Sequence, residues 1–164
     1  MEYQIEKCPA FRVFGLSYKV QTATAFQVIP GFWGTAWQDG TMEKLFPLMS
    51  EQRPAGVLGI AVGGRGEGAE EMTYMIGVAV HATGQAGKED QPLPVHEGFE
   101  TYEYPEATWV VVNADGDLPK AVQDVYGVFY QEWLPKSGHE LADLPVIESY
   151  LDGGRQEVWF ALKD

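Results

Sequence analysis

A chain of 164 residues with 24 acidic and 11 basic side chains carries a formal charge of −13, and 45% of it is hydrophobic. That content suits a single globular domain over 1–164, with a core large enough to bury about two thirds of its unfolded surface without staples. The basic residues are scattered singly, which argues against direct nucleic-acid binding; the lone Cys8 excludes an intrachain disulfide; and no apolar leader or membrane-length run is evident, so a cytoplasmic location is expected.

Residues 11–20 are apolar and strand-like. A helical region is expected over 30–52, interrupted at Asp39-Gly40, with Leu45, Leu48 and Met49 at helix spacing. Residues 57–62 (VLGIAV) and 72–80 (MTYMIGVAV) read as a hairpin of two strands joined by the Gly- and Glu-rich stretch 63–71. The second strand has a bulky face, Met72, Tyr74, Ile76, Val78 and Val80, and a smaller one, Thr73, Met75, Gly77 and Ala79. A turn-rich linker spans 83–96, and the pattern then starts again.

In the second half, 99–104 and 108–113 read as strand broken at Pro105. Asp117 is placed to cap a helix whose face, Leu118, Val122, Val125, Phe129 and Trp133, advances by three or four residues until Pro135 and Gly138 end it. Strands over 146–151 and 157–162 follow, joined by Asp152-Gly153-Gly154. The halves, about 1–83 and 97–164, each spell strand, helix, strand, strand. Two β-α-β-β units predict an α+β fold, a curved antiparallel sheet with two main helices on one side and a central ligand cleft.

The usual catalytic signatures are missing. His81, His96 and His139 lie far apart and none pairs with a carboxylate at ligand spacing, so no metal and no cofactor is expected. There is no G-x-S-x-G, and Cys8, beside Pro9, reads as an inert small hydrophobe in a terminal segment. The run Gly63-Gly64-Arg65-Gly66-Glu67-Gly68 lacks the Lys-Ser/Thr and helix of a phosphate loop and reads as a hairpin tip. What stands out is five Trp, eight Tyr and eight Phe beside an excess of carboxylates. Rings around a buried carboxylate would hold a flat organic cation, at about 0.5–2 kcal/mol per cation-π contact.

The segment QEWLPKSGHELADLPVIESYL, residues 131–151, carries E-W-L-P-x-S-G followed by P-x-x-E-x-Y. This resembles the C-terminal signature of the GyrI-like family, the AraC-type effector-binding domains of bacteria. The opening Pro9-Ala10-Phe11-Arg12-Val13-Phe14-Gly15-Leu16, the run Ile29-Pro30-Gly31-Phe32-Trp33 and the strand after Pro105 are also similar to that family, most of all to its stand-alone, integron-associated members. The resemblance implies a duplicated fold whose cleft binds hydrophobic, often cationic small molecules through a buried glutamate and aromatic rings. Glu148 matches that glutamate, and Trp33, Trp109, Phe129, Trp133 and Tyr150 are the candidate walls, with Trp33 and Trp133 facing each other.

Alternation puts Val146, Glu148 and Tyr150 on one strand face without saying which face is inward. Glu157, Glu100 and Glu103 are further carboxylates, expected to be mostly solvated. The leading expectation is multidrug capture without turnover. The alternative is a GyrI-like hydrolase of cyclopropane-bearing toxins in which Glu148 activates water. A protein partner, a transcription regulator or gyrase, is a third route of action that the family implies.

Overall fold

The alternating stretches pair as the pleat demands, all antiparallel, in a computed structural model that describes residues 1–49, 53–63, 69–81, 93–151 and 153–163. The strands are β1 (Tyr3–Cys8), β2 (Phe11–Gln21), β3 (Val57–Gly63), β4 (Glu71–His81), β5 (Phe99–Tyr104), β6 (Ala107–Asn113), β7 (Ile147–Leu151) and β8 (Arg155–Leu162). They form one sheet in the order β1-β6-β8-β7-β3-β4-β2-β5. Residues 50–52 of the expected helical region, 64–68 of the expected hairpin tip, 83–92 of the expected linker and Asp152 lie outside the described residues.

Each half begins with a strand that pairs in the other half. β1 runs beside β6, Tyr3 opposite Val112, and β5 runs beside β2, Leu16 opposite Phe99. The register is continuous from one pair to the next, because Cys8 meets Ala107 and Phe11 meets Tyr104. Pro9 and Pro105 fall in the two-residue breaks, where a residue without an N–H interrupts the ladder and lets the ribbon bend. Since β1 and β5 are the two ends of the sheet, these links draw the ends together and curl it. Cys8, expected in a terminal segment, is instead the last residue of a paired strand, 6% exposed.

Curling separates two faces. Inside sit Phe11, Val13, Leu58, Ile60, Met75, Tyr104, Trp109, Val111, Ile147 and Trp159. Phe11 stacks on Tyr104 with ring centroids 4.9 Å apart, and Trp109 packs edge-on against Trp159 at 5.9 Å, contacts of about 0.5–1.5 kcal/mol each beyond the area they bury. At the rim of this core Arg53 bridges Glu6 at 2.7 Å and Glu157 at 3.5 Å and lies over the Trp159 ring. Glu157, expected to be solvated, is therefore 8% exposed, because a guanidinium and the Trp159 indole N–H satisfy it.

The outer face carries the helices. Helix α1 (Ala25–Gln38) and the short α2 (Thr41–Leu45) cover Phe14, Tyr74, Ile76 and Val78. Helix α3 (Lys120–Val128) covers Val110, Val112, Val158 and Phe160. α1 starts at Ala25, five residues before the expected start at Pro30, and so encloses that proline within the helix. A proline is favoured at a first turn, which is why the sequence points there. The turn after α3, Phe129–Trp133, is a π-helix that leads into α4 (Leu134–Ser137). No helix among the described residues is long and apolar enough to cross a membrane.

Candidate functional site

The centre of the sheet is where β7 meets β3. Glu148 stands opposite Val158 of β8 on one side and Gly59 of β3 on the other, and Gly59 is opposite Ile76 of β4. Val158 and Ile76 belong to the clusters beneath α3 and α1, so Glu148 projects from the helix-bearing face between the two helices. Alternation left that face open; the register decides it.

Glu148 is half-buried and held by two phenols. Tyr126, on α3, donates to its Oε2 at 2.8 Å, and Tyr150, two residues along the strand, donates to its Oε1 at 2.5 Å. The Trp33 indole packs edge-on against the Tyr150 ring at 4.9 Å, and its Nε1 donates to the Tyr74 hydroxyl at 2.9 Å. Four aromatic side chains from α1, β4, α3 and β7 thus meet around one carboxylate. Gly59 makes this possible: a Cβ there would lie 2.2 Å from the Tyr74 hydroxyl and 3.1 Å from Trp33 Cζ2. A bare backbone at the floor is what lets these two side chains lie against the sheet.

Burial and the neighbouring Glu148 charge push the Tyr74, Tyr126 and Tyr150 phenols well above the ordinary tyrosine range, burial being the larger cause in each. They stay protonated donors at neutral pH. As pH rises past about 10 an unfolded chain releases phenolic protons that the folded one keeps, so stability should fall above that pH. Titration of tyrosinate absorbance should show these three silent until the protein unfolds, a delay that Tyr→Phe substitution at each position would assign.

Of the residues expected to line the cleft, the structure brings Trp33, Glu148 and Tyr150 together. Trp109 is removed from that group: it is fully buried on the inner face, away from Glu148, because its strand neighbour Val110 takes the outer side. Trp133 does not face Trp33. The π turn carries its ring onto Phe129 at 5.2 Å, His139 at 5.9 Å and Tyr3 at 5.4 Å. Phe129 is fully buried and stacks on Phe160 at 3.7 Å, and Phe160 in turn meets the Tyr126 ring at 5.6 Å, so Phe129 supports the wall from behind. Tyr126 and Tyr74 join the site without any sequence signal that marks them. Tyr74 was visible only as one of five bulky residues on its strand face, and Tyr126 lies beside the apolar stripe of α3.

Glu100 and Glu103 are exposed on β5, and Ser17 donates to Glu100 at 2.9 Å. Among the described residues no group of three or more His, Cys, Asp and Glu is placed to share a metal ion. A hollow of about 440 Å³, lined by Met1, Glu2, Tyr3, Gln4, Val111 and Asn113, lies along the β1 end of the sheet, whereas Tyr126, Tyr150 and Trp33 occupy the space beside Glu148.

The model of the GyrI-like small molecule binding domain matches residues 1–163. The chain belongs to that GyrI-like family. Among solved structures, a putative bacterial transcription regulation protein from Staphylococcus aureus MU50 is 24% identical, with a TM-score of 0.74 over 100% of this chain and 99% of the other. The structure of SAV2435 bound to tetraphenylphosphonium is 25% identical, with a TM-score of 0.73 over 99% and 94%. The Vibrio cholerae integron cassette protein VCH_CASS2 is 15% identical, with a TM-score of 0.63 over 98% and 95%, and shares the fold. No curated protein sequence matches the chain. The GyrI-like assignment agrees with the curved sheet and the helices on its outer face.

Proposed function

We propose that this chain captures hydrophobic, preferably cationic small molecules at Glu148, between α1 and α3. One observation carries the reading: a half-buried carboxylate at the sheet centre whose oxygens are held by two neutral phenols. Phenols orient the charge without cancelling it, and ring faces on several sides favour a delocalised positive ligand. The likeness to SAV2435, whose structure contains tetraphenylphosphonium, supports a cation of that class. Entry requires Tyr150 or Tyr126 to swing aside. Helix α1, which carries Pro30 inside it and leaves Val28 and Trp37 exposed, is suited to yield.

A water-activating role for the same carboxylate finds less support, since both oxygens already accept phenolic hydrogen bonds that lower their basicity. Capture would act either by sequestration or by reporting to a separate protein such as a transcription regulator or gyrase. The test is a titration of Trp fluorescence, with Trp33 at the site, comparing tetraphenylphosphonium with neutral triphenylphosphine oxide. Saturable quenching by the cation, at least about tenfold tighter than by the oxide, is expected. Equal affinities would overturn the reading.

A further inference from the structure

Directly across the β7–β8 ladder from Tyr150 is Gln156. Opposed residues of an antiparallel pair project from the same face, so its side chain leaves the sheet on the side of Glu148 and the helices. Gln156 is 5% exposed, and its Oε1 has no hydrogen-bond partner among the described residues. A buried acceptor without a donor is costly to the free protein, and natural proteins tolerate few such groups away from functional positions. The neighbouring Tyr150 cannot supply the proton, because its hydroxyl donates to Glu148.

We propose that Gln156 is a second recognition group of the site, accepting a hydrogen bond from an N–H or O–H of the ligand while Glu148 meets its positive charge. This rests on the binding function proposed above. Glu148 lies opposite Val158, so Gln156 is its diagonal neighbour, on the order of 7 Å away across the ladder. The preferred ligand is a lipophilic cation with a polar hydrogen about one aromatic ring's length from its charge. Tetraphenylphosphonium would use the glutamate and leave the glutamine unsatisfied.

Two probes of nearly equal size separate the roles: triphenylphosphonium cations whose fourth ring carries a para hydroxymethyl or a para methoxymethyl group. Wild-type protein should bind the hydroxymethyl cation about three- to tenfold more tightly, the increment of one net hydrogen bond. In Gln156→Met that preference should fall to about one, with the methoxymethyl affinity unchanged. The thermal midpoint of the free variant should hold or rise, because an unpaired buried acceptor has been removed; a merely structural glutamine would instead lose stability. Gln156→Leu provides a second apolar replacement with the same expectation.

An absent preference in wild type, or a preference that survives both substitutions, would overturn the assignment of Gln156 while leaving capture at Glu148 intact. Failure of wild-type protein to bind either cation would overturn the binding function and this assignment together.

Discussion

Replacing Glu148 by glutamine should weaken binding of a lipophilic monocation by about ten- to hundredfold and leave the affinity for a neutral triaryl compound nearly unaffected. Two unit charges about 5 Å apart attract by roughly 3 kcal/mol at an effective dielectric of about 20. Solvent reaching a half-buried carboxylate takes part of that away. The amide keeps the volume and one acceptor, so one phenol can still donate to it while the charge is lost. Isothermal titration of tetraphenylphosphonium and triphenylphosphine oxide into both proteins checks this. A variant that binds the cation as well as wild type would show that the rings alone hold it.

Gly59→Ala should be the most damaging single-methyl change at the site. Its new Cβ would lie 2.2 Å from the Tyr74 hydroxyl, which accepts the Trp33 indole proton, so the Trp33–Tyr74 hydrogen bond cannot persist as it stands. Overpacking of this kind costs about 1–3 kcal/mol. Denaturant unfolding should show that loss, a changed Trp emission should report displacement of Trp33, and cation affinity should fall with it. Removing the obstructing oxygen supplies the control: Gly59→Ala combined with Tyr74→Phe should recover stability relative to Gly59→Ala alone, a favourable coupling in a double-mutant cycle. Purely additive losses would mean that the clash is relieved elsewhere.

Much of the sheet was legible because alternation and turn residues are local signals. The runs over 57–62, 72–80 and 99–104 fall within β3, β4 and β5, and the helix face through Val122, Val125 and Phe129 packs as its spacing implies. β1 was not found: it is an end strand with Tyr3 and Ile5 about half exposed, so burial leaves little imprint on its composition. Pairing across the halves was equally hidden, since register is a property of two distant segments and neither carries it alone. At the site, the family motif picked out Glu148 and Tyr150, but the other rings depend on geometry. Trp133 continues the α3 stripe in sequence, and only the wide turn at Phe129–Trp133 shows why its ring goes elsewhere. Gly59 and Tyr126 could not be selected before the glycine was known to lie under Tyr74, or the tyrosine beside a carboxylate 22 residues further on.

The bent ribbon built from β1 with β6 and β2 with β5 also bears on ancestry and dissection. Each half lends its first strand to the other, as in a domain-swapped dimer whose two subunits have been fused into one polypeptide. Severing the chain at its middle would give two fragments, each deprived of an edge strand and each exposing backbone N–H and C=O groups that its counterpart normally pairs. They would be complementary pieces, needing each other to fold, and the site at their shared seam would exist only in the reunited pair.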